Sequence, residues 1–79
     1  MFRVVFTKVA LKALRRMPQN TARLIRKKID QLASDPQSPG NQVTHLTNRP
    51  EYRLRIGDWR VIYDLREQEL VILVLKIAP

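Results

Sequence analysis

Residues 52–65 read YRLRIGDWRVIYDL, and the reading of this stretch decides the fold. Tyr52, Leu54 and Ile56 alternate with Arg53 and Arg55, the period of two that a half-buried strand imposes, so one face is apolar and the other carries two guanidinium groups. Gly57-Asp58 supplies turn chemistry, and in the next run Trp59, Val61, Tyr63 and Leu65 alternate with Arg60, Ile62, Asp64 and Arg66. The two runs form a tight hairpin. With Tyr52, Leu54 and Ile56 packed on the same side as Trp59, Val61 and Tyr63, the side chains of Arg53, Arg55 and Arg60 gather on the other. Like charges facing one another across a sheet cost free energy unless an anion is to be bound there.

After a polar turn at Glu67-Gln68, residues 70–78 (LVILVLKIA) are almost continuously apolar. A strand apolar on both faces is normally central and covered twice. Two helices cover only one face of so small a sheet, which places Ile72 and Val74 on the open face beside the arginines. Either loop 36–50 or a partner then covers them; a domain short of core favours the partner. By alternation Lys76 shares the face of Ile72 and Val74.

Towards the N-terminus, residues 2–7 (FRVVFT) are β-branched and aromatic and read as a first strand, with Thr7 placed to cap the helix after it. In residues 8–17, Val9 or Ala10, Leu11, Ala13, Leu14 and Met17 recur at helical spacing, and Pro18 ends that helix. A second helix is expected after Asn20, an N-cap residue, with Ala22, Ile25, Ile29, Leu32 and Ala33 on one stripe up to the Asp35-Pro36 stop. Its other face is Arg23, Arg26, Lys27, Lys28 and Asp30. Residues 36–50, with Pro36, Pro39, Pro50 and Gly40, read as a loop with a short turn near 43–46. The resulting order predicts an α+β domain: an N-terminal strand, an antiparallel helical hairpin and a three-stranded antiparallel meander. Both helices lie on one face of a four-stranded sheet, with the first strand beside the last.

A chain of 79 residues is one small domain, of a size that buries only about 60% of its unfolded surface, so a partner that adds buried area helps it. Fifteen Lys and Arg against seven Asp and Glu give a net charge of +8, which suits nucleic acid, an anionic membrane surface or an acidic protein without choosing among them. No acidic residue precedes Asp30, and the positive field is strongest over the first half. An Arg-rich, acid-poor start also suits a transit peptide, but its apolar residues are needed for the core. The absence of cysteine excludes a disulfide scaffold and Cys-based zinc sites and is compatible with the cytoplasm, the expected location. No apolar run approaches bilayer-spanning length. Without a metal-ligand cluster, a Gly-rich phosphate loop or a Ser/His/Asp arrangement, neither metal nor cofactor is expected.

The element order, YRLRIGDWRVIYDL, and the closing LVILVLKIAP together resemble the RelE/ParE superfamily of bacterial toxins from type II toxin–antitoxin systems. The similarity covers nearly the whole chain, including ALKALRRMP in the first helix and LASDP at the end of the second. It implies one of two activities. The RelE branch consists of ribosome-dependent mRNA endonucleases, and the ParE branch poisons DNA gyrase by a protein–protein contact. It also implies a cognate antitoxin with an acidic toxin-binding tail, and a hetero-oligomeric complex. The two basic residues that the RelE branch carries on its RNA-facing strand fall on Arg53 and Arg55, and the Arg of the GDWR segment on Arg60. RelE-like enzymes carry a further Arg and a Tyr just after the last strand, where this sequence reaches Pro79. Either those residues are missing here or part of the catalytic set is absent from the protein.

Cleavage of RNA by its own 2′-OH needs a proton acceptor, a proton donor and positive charge against the developing phosphorane. Arginine suits the third role because it binds phosphate oxygens bidentately and stays protonated. Arg53, Arg55 and Arg60 are accordingly assigned to phosphate positioning and transition-state stabilisation, with the proton-transfer groups unassigned. The bland reading of the three is a solvated face paired with Glu51, Asp58 or Asp64. Lys76, Arg26 and Lys27 are the candidates for contacts to RNA or the ribosome, against the plainer role of solvated lysines and a solvated helix face that attracts polyanions. Ile72 and Val74 are the candidates for antitoxin contact. Trp59 and Tyr63 have core parity, and His45, the only histidine, reads as a loop surface residue. The reading reached from sequence is a RelE-like endoribonuclease whose partners are its antitoxin, the ribosome and mRNA, and not a membrane. The alternatives are a ParE-like gyrase inhibitor, or an inactive module that retains only antitoxin binding and co-repression.

Overall fold

In the computed structural model, which describes Met1–Pro79, the chain forms β1 (Arg3–Phe6), α1 (Lys8–Arg16), α2 (Gln19–Ser34), a short 3₁₀ turn (Gly40–Gln42), β2 (Val43–His45), β3 (Tyr52–Ile56), β4 (Trp59–Arg66) and β5 (Val71–Ala78). The strands make one mixed sheet in the order β1-β5-β4-β3-β2, with β1 parallel to β5 and every other pair antiparallel. The sheet therefore has five strands where four are expected. The additional strand, β2, lies in the segment read as a loop: Val43 pairs with Leu54 and His45 with Tyr52. Three residues are too few to show a period, and β2 forms because it satisfies the backbone groups that β3 would otherwise leave at a bare edge.

The hairpin of β3 and β4 closes through a two-residue loop, Ile56 facing Trp59. Gly57 takes a left-handed φ of 58° and no positive φ occurs at Asp58, the pattern of a type II′ turn, which matches strand twist and demands glycine at its first position. Arg55 stands opposite Arg60 and Arg53 opposite Ile62, so the register places the three arginines on one face. Leu54, Ile56, Val61 and Tyr63 fill the other.

Both helices lie on that second face. Ala10, Leu14 and Met17 of the first helical segment and Ile25, Ile29, Leu32 and Ala33 of α2 join the strand residues in one core whose one polar group is the Tyr63 phenol. α1 ends before Pro18 as expected, but α2 begins at Gln19 with Pro18 as its cap, so Asn20 lies inside the first turn rather than capping it. Proline, with its fixed φ and no N–H to satisfy, starts a helix readily. No helix is long and apolar enough to cross a membrane.

The largest correction concerns β5. Ile72 and Val74 are both 0% exposed and belong to the core under the helices, not to the open face. The cause is a β-bulge. Tyr63 pairs with Val74 but Ile62 with Lys76, so Leu75 is an extra residue in β5. Strict alternation would keep Ile72, Val74 and Lys76 together; the inserted residue reverses the parity, so that Ile77 returns to the core and Lys76 faces the opposite way. In register, the open face of β5 presents Val71, Leu73, Lys76 and Ala78.

Candidate nucleic-acid interface

On the open face two rows cross the sheet. One runs Lys76, Ile62, Arg53 and Thr44; the next runs Ala78, Arg60 and Arg55. Four cations thus meet on three adjacent strands. Arg53, Arg55 and Arg60 line a shallow depression of about 500 Å³ with Gly57, Asp58 and Trp59 at the hairpin tip. The ion pairs of the protein lie elsewhere: Glu51 is taken by Arg49 at 2.9 Å, and Asp64 and Glu69 by Arg66 at 3.2 and 4.0 Å. Two of the three carboxylates available to neutralise the arginines are therefore engaged, and Asp58 makes no ion pair. A face of guanidinium groups with spare donors is a site for an anion with several oxygen acceptors.

The arrangement supplies positive charge and guanidinium groups of the kind that can contact phosphate oxygens bidentately, and it brings Lys76 to the arginines through the bulge. It does not bring Arg26 and Lys27 there. Those two project from α2, on the other layer, and line a separate shallow surface with Arg23, Asp30, Gln31 and Ser34. The Arg26 guanidinium lies 5.4 Å from the centre of the Phe6 ring, where part of its charge is engaged by the ring face.

Tyr63 is buried in the core and Trp59 packs against it partly exposed. Burial, with a smaller contribution from neighbouring Tyr52, pushes the Tyr63 phenol up to about 12. His45 lies at the sheet edge on β2, its ring stacked on Tyr52 at 4.6 Å, and Tyr52 stacks on Tyr63 at 5.6 Å. Sequence reading missed this ladder because it depends on β2 being a strand. Its only signal is the β-branched pair Val43-Thr44 ahead of His45. No group of three or more His, Cys, Asp and Glu side chains is placed to hold a metal ion.

The fold is that of a class of small toxin domains. Residues 4–79 match the sequence profile of the ParE toxin of the type II toxin–antitoxin system parDE. Among solved structures, the chain is similar to one in the archaeal RelE–RelB complex of Pyrococcus horikoshii OT3, with 33% identity, a TM-score of 0.84 and coverage of 99% of this chain and 93% of that one. It also shares its fold with a chain of the intact E. coli RelBE toxin–antitoxin complex (20% identity, TM-score 0.82, coverage 99% and 95%). A chain of the heterotetrameric YoeB–YefM complex of Staphylococcus aureus is a third case (12%, 0.78, 100% and 97%). No curated protein matches in sequence. The chain belongs to the RelE/ParE superfamily of type II toxin–antitoxin toxins.

Proposed function

We propose that this toxin is a ribosome-dependent mRNA endoribonuclease of the RelE type, acting in the cytoplasm and held inactive by a cognate antitoxin. The observation that carries the reading is the group Arg53, Arg55, Arg60 and Lys76, gathered on one open sheet face without an ion-pair partner. Arg55 and Arg60 oppose each other directly, a pairing that costs stability in the free protein and is relieved when a phosphate lies between them. Bound across this face, the scissile phosphate would have its charge neutralised as it develops in the transition state. The 2′-OH proton needs an acceptor other than these cations, since arginine does not deprotonate and lysine is charged at neutral pH. The ribosome, or residues not among the four, would supply it.

An antitoxin partner is supported by similar toxins having been solved in toxin–antitoxin complexes. Covering the open face with an acidic segment would neutralise the arginines and bury Leu73 and Val5, which face each other on β5 and β1 further along the same face.

The profile match to ParE toxins favours a second reading, inhibition of DNA gyrase by protein contact. One pair of assays separates the two. Primer extension on a defined mRNA after in vitro translation with the purified protein tests the first, and a gyrase supercoiling assay tests the second. Cuts at the decoding site with supercoiling unaffected are the expected result. Blocked supercoiling without cuts would replace it with the gyrase reading, and inertness in both assays would leave an antitoxin-binding module.

A further inference from the structure

Cleavage of RNA through its own 2′-OH needs a proton acceptor, and the depression at the hairpin tip holds one. Six residues line it: Arg53, Arg55, Gly57, Asp58, Trp59 and Arg60. Arginine stays protonated, the indole N–H of Trp59 only donates, and Gly57 has no side chain. The Asp58 carboxylate is therefore the one lining side chain that can take up a proton at neutral pH. Other groups able to do so stand elsewhere. His45 and Tyr52 pair on the helix side of the sheet, and Asp30 belongs to α2. Glu51 and Asp64 are held by Arg49 and Arg66, and Glu67 and Glu69 lie in the turn at the opposite end of β4.

The fold makes no use of this carboxylate. Asp58 takes the second place of a turn whose geometry demands glycine only at the first. Its side chain makes no hydrogen bond within the protein, and none of the three arginines around the depression pairs with it. A carboxylate beside a phosphate-binding surface also weakens phosphate binding, by about 1 kcal/mol for like charges 4 Å apart in water. A negative charge that neither neutralises its cationic neighbours nor shapes the turn fits a group that acts on the substrate.

We propose that Asp58 is the general base of this site, taking the proton of the 2′-OH while Arg53, Arg55 and Arg60 hold the adjacent phosphate. The 2′ oxygen forms a bond to phosphorus and the bond from phosphorus to the 5′ oxygen breaks. The electron pair leaves with the 5′ oxygen, which takes a proton from water at the open rim of the depression. The products are a 2′,3′-cyclic phosphate and a 5′-hydroxyl end, and the Asp58 carboxyl gives its proton to the hydroxide so formed. Asp58 precedes Arg60 by two residues, at most about 7 Å between Cα atoms, and Arg60 faces Arg55. Base and phosphate-binding groups thus lie within the reach of one nucleotide. The inference rests on the endonuclease reading of the arginine face and supplies the proton acceptor that the four cations cannot.

The test is single-turnover cleavage of a defined mRNA on programmed ribosomes at saturating toxin, with binding to a single-stranded oligoribonucleotide and thermal unfolding measured alongside. Asp58→Asn keeps the size of the side chain and suits a turn. It should lower the cleavage rate constant by about 100-fold or more, while RNA binding stays equal to wild type or tightens because a negative charge is gone. Asp58→Glu should recover part of the rate. Added formate should partly restore cleavage by Asp58→Ala, a rescue that a merely structural turn residue does not give. Cleavage by Asp58→Asn at the wild-type rate overturns the proposal and leaves the endonuclease standing. A loss that tracks weakened RNA binding or a lowered unfolding midpoint in both the Asn and Glu variants, with no rescue by formate, likewise overturns it and returns Asp58 to the turn. Absence of cleavage by the wild type removes the endonuclease reading itself, and the general base with it.

Discussion

The Thr7 hydroxyl donates to the carbonyl oxygen of Leu75 at 2.8 Å and accepts from the N–H of Ala10 at 3.2 Å. One side chain therefore caps α1 and holds the extra residue of β5, while the Thr7 N–H bonds Val74 on the same strand. The bulge so held decides which face Lys76 occupies. Thr7→Val keeps the shape and removes the hydroxyl, and should cost about 2 kcal/mol, a helix cap and a tertiary hydrogen bond together. Thr7→Ser should keep most of it. Urea denaturation of the three proteins measures the difference, and if Val and Ser behave alike the clamp is not what holds the bulge.

Ile72 and Val74 belong to the core, so their truncation should be read as lost stability. Ile72→Ala is expected to cost about 2–5 kcal/mol. Val5→Thr, on the open face at an edge strand and 37% exposed, should change stability by less than about 0.5 kcal/mol. Thermal unfolding distinguishes them, and near-equal midpoints would contradict the parity reversal at Leu75.

Arg55 and Arg60 face each other across β3 and β4 with no carboxylate between them. Arg55→Ala should leave stability unchanged or raise it by about 0.2–1 kcal/mol, since it removes a like-charge pair. The Arg53, Arg55 and Arg60 triple alanine variant should fold and yet fail to arrest growth. Retained toxicity would sink the assignment of these residues. For every phosphate that an arginine no longer neutralises, the salt dependence of binding to single-stranded RNA should also flatten by about 0.7 in the log–log slope.

Tyr63 gives a stability change at alkaline pH. Its phenol titrates near 12 in the folded protein against 10.0 for a free tyrosine. The folded state thus holds the proton more tightly, and the stability this represents is complete below pH 10 and is lost as pH rises through 12. At about 1.4 kcal/mol per tenfold change in proton affinity, the loss is roughly 2–3 kcal/mol at most. Ultraviolet titration should show a tyrosine step near 12 that Tyr63→Phe removes.

The hairpin of residues 52–66 and the helical hairpin are legible in the sequence because each rests on a local period or a local stop; the placing of the first strand beside the last is legible because residues 70–78 are apolar on both faces, as a central strand is. Arg53, Arg55 and Arg60 are legible as one group for the same reason, since a two-residue turn leaves only one register in which both apolar sets share a face. The strand β2 is not legible, being too short for a period and formed only because β3 offers it an edge.

By itself the sequence determined the order of the elements other than β2, the apolar stripe of each helix, the arginine face and a net charge that suits a polyanion. Only the tertiary structure decided where Ile72, Val74 and Lys76 stand. Alternation propagates along a strand only while the register holds, and the shift at Leu75 is stabilised by a hydroxyl 68 residues away in sequence, on Thr7. The aromatic ladder ending at His45 has the same origin: each ring is local to its own strand, and the stack exists because three strands lie side by side.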